Sequence, residues 1–347
     1  MPDTKVPPMT IFVSGLGVNR QCGESIQAAF DELGHRTAFF GDHLGFPLEF
    51  AKLASYLPLK GTIARYYAKQ REILSRKLLA AIASSHPDFV LVVGGESILP
   101  ATVFEIRARF KIPVACWVME EPAAIDVYHS TGWLNYSAYS HLFVIDELWA
   151  QSLQLFNIPK FYLPMAGDNR LYKKLSFQKD IDLLFVGSFF PDDRHIVSGF
   201  GRAILLSHLQ QAGLNFKVRG DGFRKIRYFF PKLKATAPRE DQLNKLYNRS
   251  KVIIYINPLL LKTDFSEPVF DIALSGNFLI TDAKINTPKL FNNELVTITT
   301  ARELLDTVES FLSDNNAREH ISQKIRSIAF NQHTYHKRAE AILKIVA

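Results

Sequence analysis

A chain of 347 residues is long enough for two domains with separate cores, and 47% apolar against 22% charged residues excludes wholesale disorder, collagen and coiled coil. No apolar run reaches the roughly 18 residues of a membrane span, and the first residues, with Pro2, Pro7 and Pro8, lack the basic-then-apolar order of a leader, so the expectation is a soluble cytoplasmic protein. Two cysteines, Cys22 and Cys116, are too few for a disulfide framework and too isolated for a zinc or iron-sulfur site. The net charge of +7 is unevenly spread: residues 1–170 hold 15 Lys+Arg against 16 Asp+Glu, and residues 171–347 hold 26 against 18. An anionic partner is therefore expected on the second half. No nucleic-acid-binding signature accompanies that excess.

Along the first half, apolar runs at 9–14, 37–40, 89–93, 114–119 and 142–145 read as buried strands. Helical patterns separate them over 22–33, closed by Gly34, and over 63–84, with others after Pro100 and Glu147. In the second half the strands read 181–186, 216–219, 252–256 and 278–281, and the helical patterns fall near 197–212, 240–249, 268–275 and 302–312. This alternation predicts an α/β protein of two facing Rossmann-type, doubly wound parallel sheets, each binding beyond the carboxyl ends of its strands. The expected bounds are 1–170 for an N-terminal domain, 171–330 for a C-terminal domain, and 331–347 for a terminal helix that packs back on the first. The aperiodic stretch 159–179 is the expected connection.

Candidate ligand groups follow the strands. Gly15 and Gly17 open the turn after the first strand, where backbone N–H groups could meet a phosphate. Asp42 stands where a dinucleotide site has its ribose acid, but the third glycine of that fingerprint is missing, and a tight turn lining a cleft explains the loop at least as well. After the strand at 181–186 come Gly187 and Ser188, then Arg194 at the start of a long helix, a phosphate-binding layout; the plainer alternative is a solvated arginine and a glycine relieving crowding. Gly220 and Asn257 close two further strands, and convergence at one sheet edge is what a nucleotide pocket needs. Asp271 lies one helical turn from both Glu267 and Ser275, so a carboxylate there could take a ribose diol, or simply favour the helix dipole.

These residues resemble a known family. Residues 185–188 with Pro191 and Arg194, then 246–251, Asn257, 270–276, 278–282 and His333-Thr334-Tyr335 with Arg338, resemble the C-terminal domain of GT-B glycosyltransferases of the spore-maturation CgeB-like group. Looser matches come earlier, at 94–98 with Pro100 and at Trp117 with Glu120, Glu121 and Pro122. The resemblance implies a metal-independent glycosyltransferase of hexosyl type that moves a sugar from a nucleoside-diphosphate sugar to a glycan, protein or lipid-linked acceptor, with no bound cofactor. It places Gly187, Ser188 and Arg194 near the diphosphate, Asp271 on the ribose, and Ser275 with Gly276 at a pyrophosphate-facing turn. Two departures stand out: Asp271 replaces the usual Glu, and Thr263 replaces the partner acid eight residues earlier, with Asp264 one place off. That loss favours a non-catalytic nucleotide-sugar or glycan-binding relative as the alternative, ahead of an NAD(P)-dependent oxidoreductase.

Charge builds on the departing diphosphate during such a transfer, and GT-B enzymes meet it with helix N-termini and Arg or Lys. Arg194 is the first candidate here, Lys251 and Lys262 the next. Inversion also needs a base for the acceptor proton, and Glu96, then Glu120 and Glu121, follow strands of the first half; a capping acid is the ordinary explanation of Glu96. Basic stretches at 60–77 and 219–234, the second interleaved with Tyr228, Phe229 and Phe230, read as solvated faces or as peripheral contacts with the inner face of an anionic membrane. His333 packs or touches phosphate.

Overall fold

The computed structural model describes residues 6–41, 60–95, 97–122, 132–189, 196–214, 216–220, 222, 235–236 and 240–346. Two compact units emerge: Met1–Pro164 with Tyr335–Ala347, and Met165–Thr334.

The first unit runs β1 (Thr10–Gly15), α1 (Arg20–Glu32), β2 (Arg36–Phe40), α2 (Lys60–Ser85), β3 (Phe89–Val93), α3 (Pro100–Phe110), β4 (Val114–Val118), β5 (His141–Val144), α4 (Glu147–Ser152) and β6 (Lys160–Tyr162). Its six strands are all parallel in the order β2-β1-β3-β4-β5-β6. Every residue of β3 and β4 is buried, as unbroken apolar strands with both faces covered must be. Gly34 stops α1 in a left-handed turn at φ +89°, while Pro100 starts α3.

The second unit runs β7 (Ile181–Val186), α5 (Ile196–Gln211), β8 (Phe216–Arg219), β9 (Ala235–Thr236), α6 (Glu240–Arg249), β10 (Ser250–Tyr255), α7 (Glu267–Leu274), β11 (Leu279–Asp282), α8 (Thr287–Phe291), β12 (Val296–Ile298), α9 (Ala301–Ser313) and α10 (Asn315–Gln332). Its sheet is again all parallel, in the order β12-β11-β10-β7-β8-β9. In chain order this is the doubly wound Rossmann arrangement, and it reverses direction between β7 and β10. Leu183, Phe185, Val252, Ile254 and Ile280 from the strands meet Leu206 and Leu209 of α5 and Leu304 and Val308 of α9 in one core.

The sequence pattern misses β6, β9, β12, α8 and α10. The strands have two or three residues each, too few to show alternation. For α10 the cause is different: its buried positions are Arg318, Ser322, Ile325 and Ala329, helically spaced but half polar, so no apolar stripe marks the helix. The last helix, α11 (Tyr335–Val346), belongs to the first unit. There the Tyr335 ring meets Trp117 edge-on at 6.1 Å, and Arg338 Nε donates to Pro164 O at 2.7 Å. No described helix is long and apolar enough to cross a membrane.

Candidate functional site

In a doubly wound sheet the chain leaves neighbouring strands toward opposite faces at the reversal point, and a crevice opens there beyond the carboxyl ends. In the second unit this point lies between the loop after β7, containing Gly187 and Ser188, and the loop after β10, containing Ile256 and Asn257. One side chain holds the two lips. Arg202, on α5 and only 5% exposed, donates Nη1 to Ser188 O (2.7 Å) and both Nε (3.0 Å) and Nη2 (2.7 Å) to Ile256 O. The same lip is pressed against the loop after β8: Gly187 N donates to Arg219 O at 2.9 Å, and a Cβ on Gly220 would lie 2.0 Å from Gly187 O. Gly220 is thus demanded by a close approach of two backbones. Arg202 carries no motif, and nothing in the sequence marks it.

Asn257 has a different role from the ligand contact expected of it. Its amide nitrogen donates to Thr281 Oγ1 (3.0 Å) and Asp282 Oδ1 (2.8 Å), and its oxygen accepts from Ser266 N (2.9 Å) and Ser266 Oγ (2.8 Å). All four hydrogen-bonding positions of the amide are used. Buried at 1% exposure, Asn257 ties the ends of β10 and β11 to the start of α7 and so aims that helix N-terminus at the crevice.

Asp271 sits on the buried face of α7 and, among the described residues, accepts one hydrogen bond, from Asp168 N to Oδ1 (3.1 Å). Burial, with the Glu267 and Asp168 carboxylates nearby, pushes its carboxyl well above the usual range, and the Asp168 N–H pulls the other way. The Asp168 side chain is itself bound by Arg170 through Nε (3.0 Å) and Nη2 (2.5 Å). Asp264, the nearest acid to the substituted position, does not stand in for it: fully buried, it accepts from Thr263 Oγ1 (2.7 Å) and Asn286 Nδ2 (2.9 Å) with the same Oδ2.

The topology sets Ser275, Gly276 and Lys251 apart from the crevice. Because β10 and β11 are parallel, α7 runs back from the carboxyl edge of the sheet to its amino edge. Ser275 and Gly276 therefore lie at the carbonyl end of α7, away from the crevice. The Ser275 hydroxyl donates to Ile272 O at 2.6 Å, and Gly276 takes the left-handed turn at φ +69°. Lys251 likewise starts β10, at the amino edge, and pairs with Asp182 at 2.7 Å. His333 packs between Phe270 and Phe291 with Nε2 2.7 Å from Leu290 O, a structural placement.

The first unit reverses between β1 and β3. Gly15 is there for packing: its Cα sits 2.9 Å from where a Cβ on Gly23 would be, and that Cβ would also lie 3.0 Å from the Phe39 ring. Gly23 thus does the helix-on-strand work that a third fingerprint glycine does, at a spacing the fingerprint lacks. Gly23→Ala should cost about 1–3 kcal/mol in equilibrium denaturation, because neither backbone can yield. Gly17 is exposed, with φ +57° and open space around it, so its N–H turn is accessible. Across the same reversal point Gly94 and Gly95 follow β3, with Cys116 Sγ donating to Gly94 O at 3.1 Å. Glu120 and Glu121 follow β4 at the same sheet edge. Asp42, Glu96, Arg194 and the basic-aromatic residues 223–234 lie outside the described residues.

Comparison with known proteins adds a partial sequence match and an architecture. Residues 202–344 match a family described as glycosyl transferase-like. No curated protein matches the chain. A sucrose-phosphate synthase from Thermosynechococcus elongatus superposes with TM-score 0.66 at 10% identity, covering 97% of this chain and 98% of the other. A UDP-forming trehalose-phosphate synthase from Burkholderia xenovorans gives 0.63 at 11% identity, over 98% and 99%. The Anabaena protein HepE, solved with UDP and glucose, gives 0.60 at 11% identity, over 96% and 98%. The fold is that of GT-B glycosyltransferases. The sequence match covers most of the second unit and the first ten residues of α11.

Proposed function

We propose that the protein is a glycosyltransferase that takes a sugar from a nucleoside-diphosphate sugar bound at the β7/β10 crevice of its second unit. The observation that carries this is the Arg202 clamp at the reversal point, which ties Ser188 after β7 to Ile256 after β10. Asp271 is suited to a ribose diol, since one protein N–H leaves its carboxylate short of donors. The likeness of residues 202–344 to glycosyl transferase-like proteins supports the same reading, as does the UDP recorded with HepE. The finer likeness to the CgeB-like group belongs with this proposal, as do metal independence and a cytoplasmic setting, the latter supported by Cys22 and Cys116, both buried as thiols and not joined in a disulfide.

In the reaction, the bond from the anomeric carbon to the diphosphate oxygen breaks and its electron pair leaves with the nucleoside diphosphate. A new bond forms to the acceptor oxygen. The N-terminus of α7, together with Arg194, meets the charge developing on the diphosphate. The acceptor proton passes to a carboxylate in an inverting reaction, for which Glu96 and Glu120 are the candidates, or to the departing phosphate in a retaining one.

Asp271→Asn tests the donor site with a result that a purely structural role would not produce. The folded state holds this carboxyl above its unfolded value, so ionisation opposes folding at neutral pH, and the amide should make the unliganded protein more stable. The same change should weaken UDP, GDP or TDP binding about ten- to hundredfold, the worth of a charged hydrogen bond. Titration calorimetry and urea denaturation measure the two effects. Unchanged affinity for every nucleoside diphosphate would place the ribose elsewhere, and binding of NAD alone would overturn the transferase reading. A specific observation also favours a binding-only relative: Asp264 is turned inward beside Thr263, leaving the first acidic position without a substitute. Bound nucleotide sugar that is neither transferred nor hydrolysed would decide for it.

A further inference from the structure

A second cleft lies at the amino edge of the sheet in the second unit, opposite the donor crevice. It has a volume of about 270 Å³ and is bounded by the segment before β7, the start of β10, the turn after α7 and the first turns of α10. A neighbouring hollow of about 370 Å³ shares Lys174, Gly276 and Ser322 with it and adds Arg326. Lys174, Lys179, Lys251 and Arg318 line the cleft against a single acid, Glu319.

Arg318, Arg326 and Lys179 are held by uncharged oxygens rather than by carboxylates. Arg318 Nη1 donates to Phe311 O and, at 3.0 Å, to Leu312 O, while Nη2 reaches Asn315 Oδ1 at 2.9 Å. Arg326 Nε donates to Leu274 O at 3.2 Å. Lys179 Nζ donates to Ser250 O at 2.8 Å and to Asn277 Oδ1. Lys174 has no ion pair among the described residues, and only Lys251 has one, with Asp182. Burial first, and then the neighbouring Lys174 and Arg318, lower the Lys179 ammonium to about 8 against a smaller opposing pull from Glu319. The first turns of α10 add the positive end of an 18-residue helix to the same space.

We propose that this cleft is an anion site for a phosphate-bearing small molecule, distinct from the donor crevice and independent of the transferase reading. Main-chain carbonyls orient Arg318, Arg326 and Lys179, and the phosphate supplies negative charge beside them. It would bridge Lys174 and Lys179 with Arg318 behind them. Gly276, whose left-handed turn already favours glycine, also leaves room here: a Cβ would lie 2.9 Å from the Arg326 stem and 3.2 Å from the Lys174 stem.

Inorganic pyrophosphate is the probe, used with the full chain and saturating UDP so that a diphosphate pocket elsewhere is occupied. Lys179 titrates low, so brief acetylation at pH 8 followed by peptide mapping should label it ahead of the other lysines. Millimolar pyrophosphate should suppress that labelling at least fivefold, and sodium chloride of equal ionic strength should not. Lys174→Met should weaken the pyrophosphate protection about fivefold, the equivalent of one lost charged contact, while leaving nucleotide binding unchanged. Labelling of Lys179 that pyrophosphate and sodium chloride suppress equally, or protection that survives Lys174→Met intact, would overturn the site.

Discussion

Arg202→Met should lower the stability of the unliganded protein by about 2–5 kcal/mol, because Ser188 O and Ile256 O both lose their donor in a region that water does not reach freely. Arg202→Lys should recover a minor part of this, since one ammonium cannot reproduce the three N–H bonds of a planar fork aimed at two carbonyls. The functional consequence follows from the position of those carbonyls on the two lips of the β7/β10 crevice. With the clamp gone the lips relax independently, and nucleoside-diphosphate affinity should fall at least tenfold in both variants. Urea denaturation and calorimetry on the same preparations check the pair of effects. A methionine variant within 1 kcal/mol of the parent would show that the lips are held by something other than this side chain.

Gly220→Ala is the second large effect. The added carbon would stand 2.0 Å from Gly187 O and 2.5 Å from Gly187 C, inside the van der Waals limit of both, and 3.1 Å from Ser188 Cα. Backbone, not a flexible side chain, is in the way, so relief requires the β7 and β8 loops to separate and to break the Gly187 N–Arg219 O bond. A loss of more than about 4 kcal/mol is expected, at the extreme of single substitutions, with little soluble folded protein at 37 °C. Gly213→Ala is the contrasting control: with nothing within 4 Å it meets only the conformational cost of φ +76°. Equal behaviour of the two alanine variants in thermal denaturation would refute the steric argument.

Much of the architecture is legible locally. The runs 181–186 and 216–219 become β7 and β8 without adjustment, because their apolar residues, though interrupted by Asp182, Lys217 and Arg219, end sharply at Gly187 and Gly220. The glycines after these strands and the acid on α7 are legible for the same reason, since strand ends in an α/β protein are where ligands gather. Helix α10 was hidden because its inner face uses Arg318 and Ser322 to hold main-chain carbonyls rather than apolar side chains to fill a core.

Ser275 shows where local spacing stops. Its position four residues after Asp271 places it at the C-cap of α7, but spacing along one helix does not tell which edge of the sheet each end reaches. The parallel pairing of β10 with β11 does, and it sends Ser275 and Gly276 to the amino edge. Asn257 is the converse: its strand-end position is right, yet four partners from Ser266, Thr281 and Asp282 turn an expected ligand contact into a brace.

The amino-acid sequence by itself determined two parallel α/β units and the strand ends where chemistry gathers, because burial periodicity and glycine turns act within a few residues of the chain. Only the tertiary structure decided that Arg202 clamps the crevice, that Gly23 substitutes for the missing fingerprint glycine, that Asp271 is held by an N–H 103 residues away, and that a second cationic cleft opens at the far edge. Those depend on main-chain carbonyls and close backbone approaches between segments distant in sequence, which leave no signature in residue type.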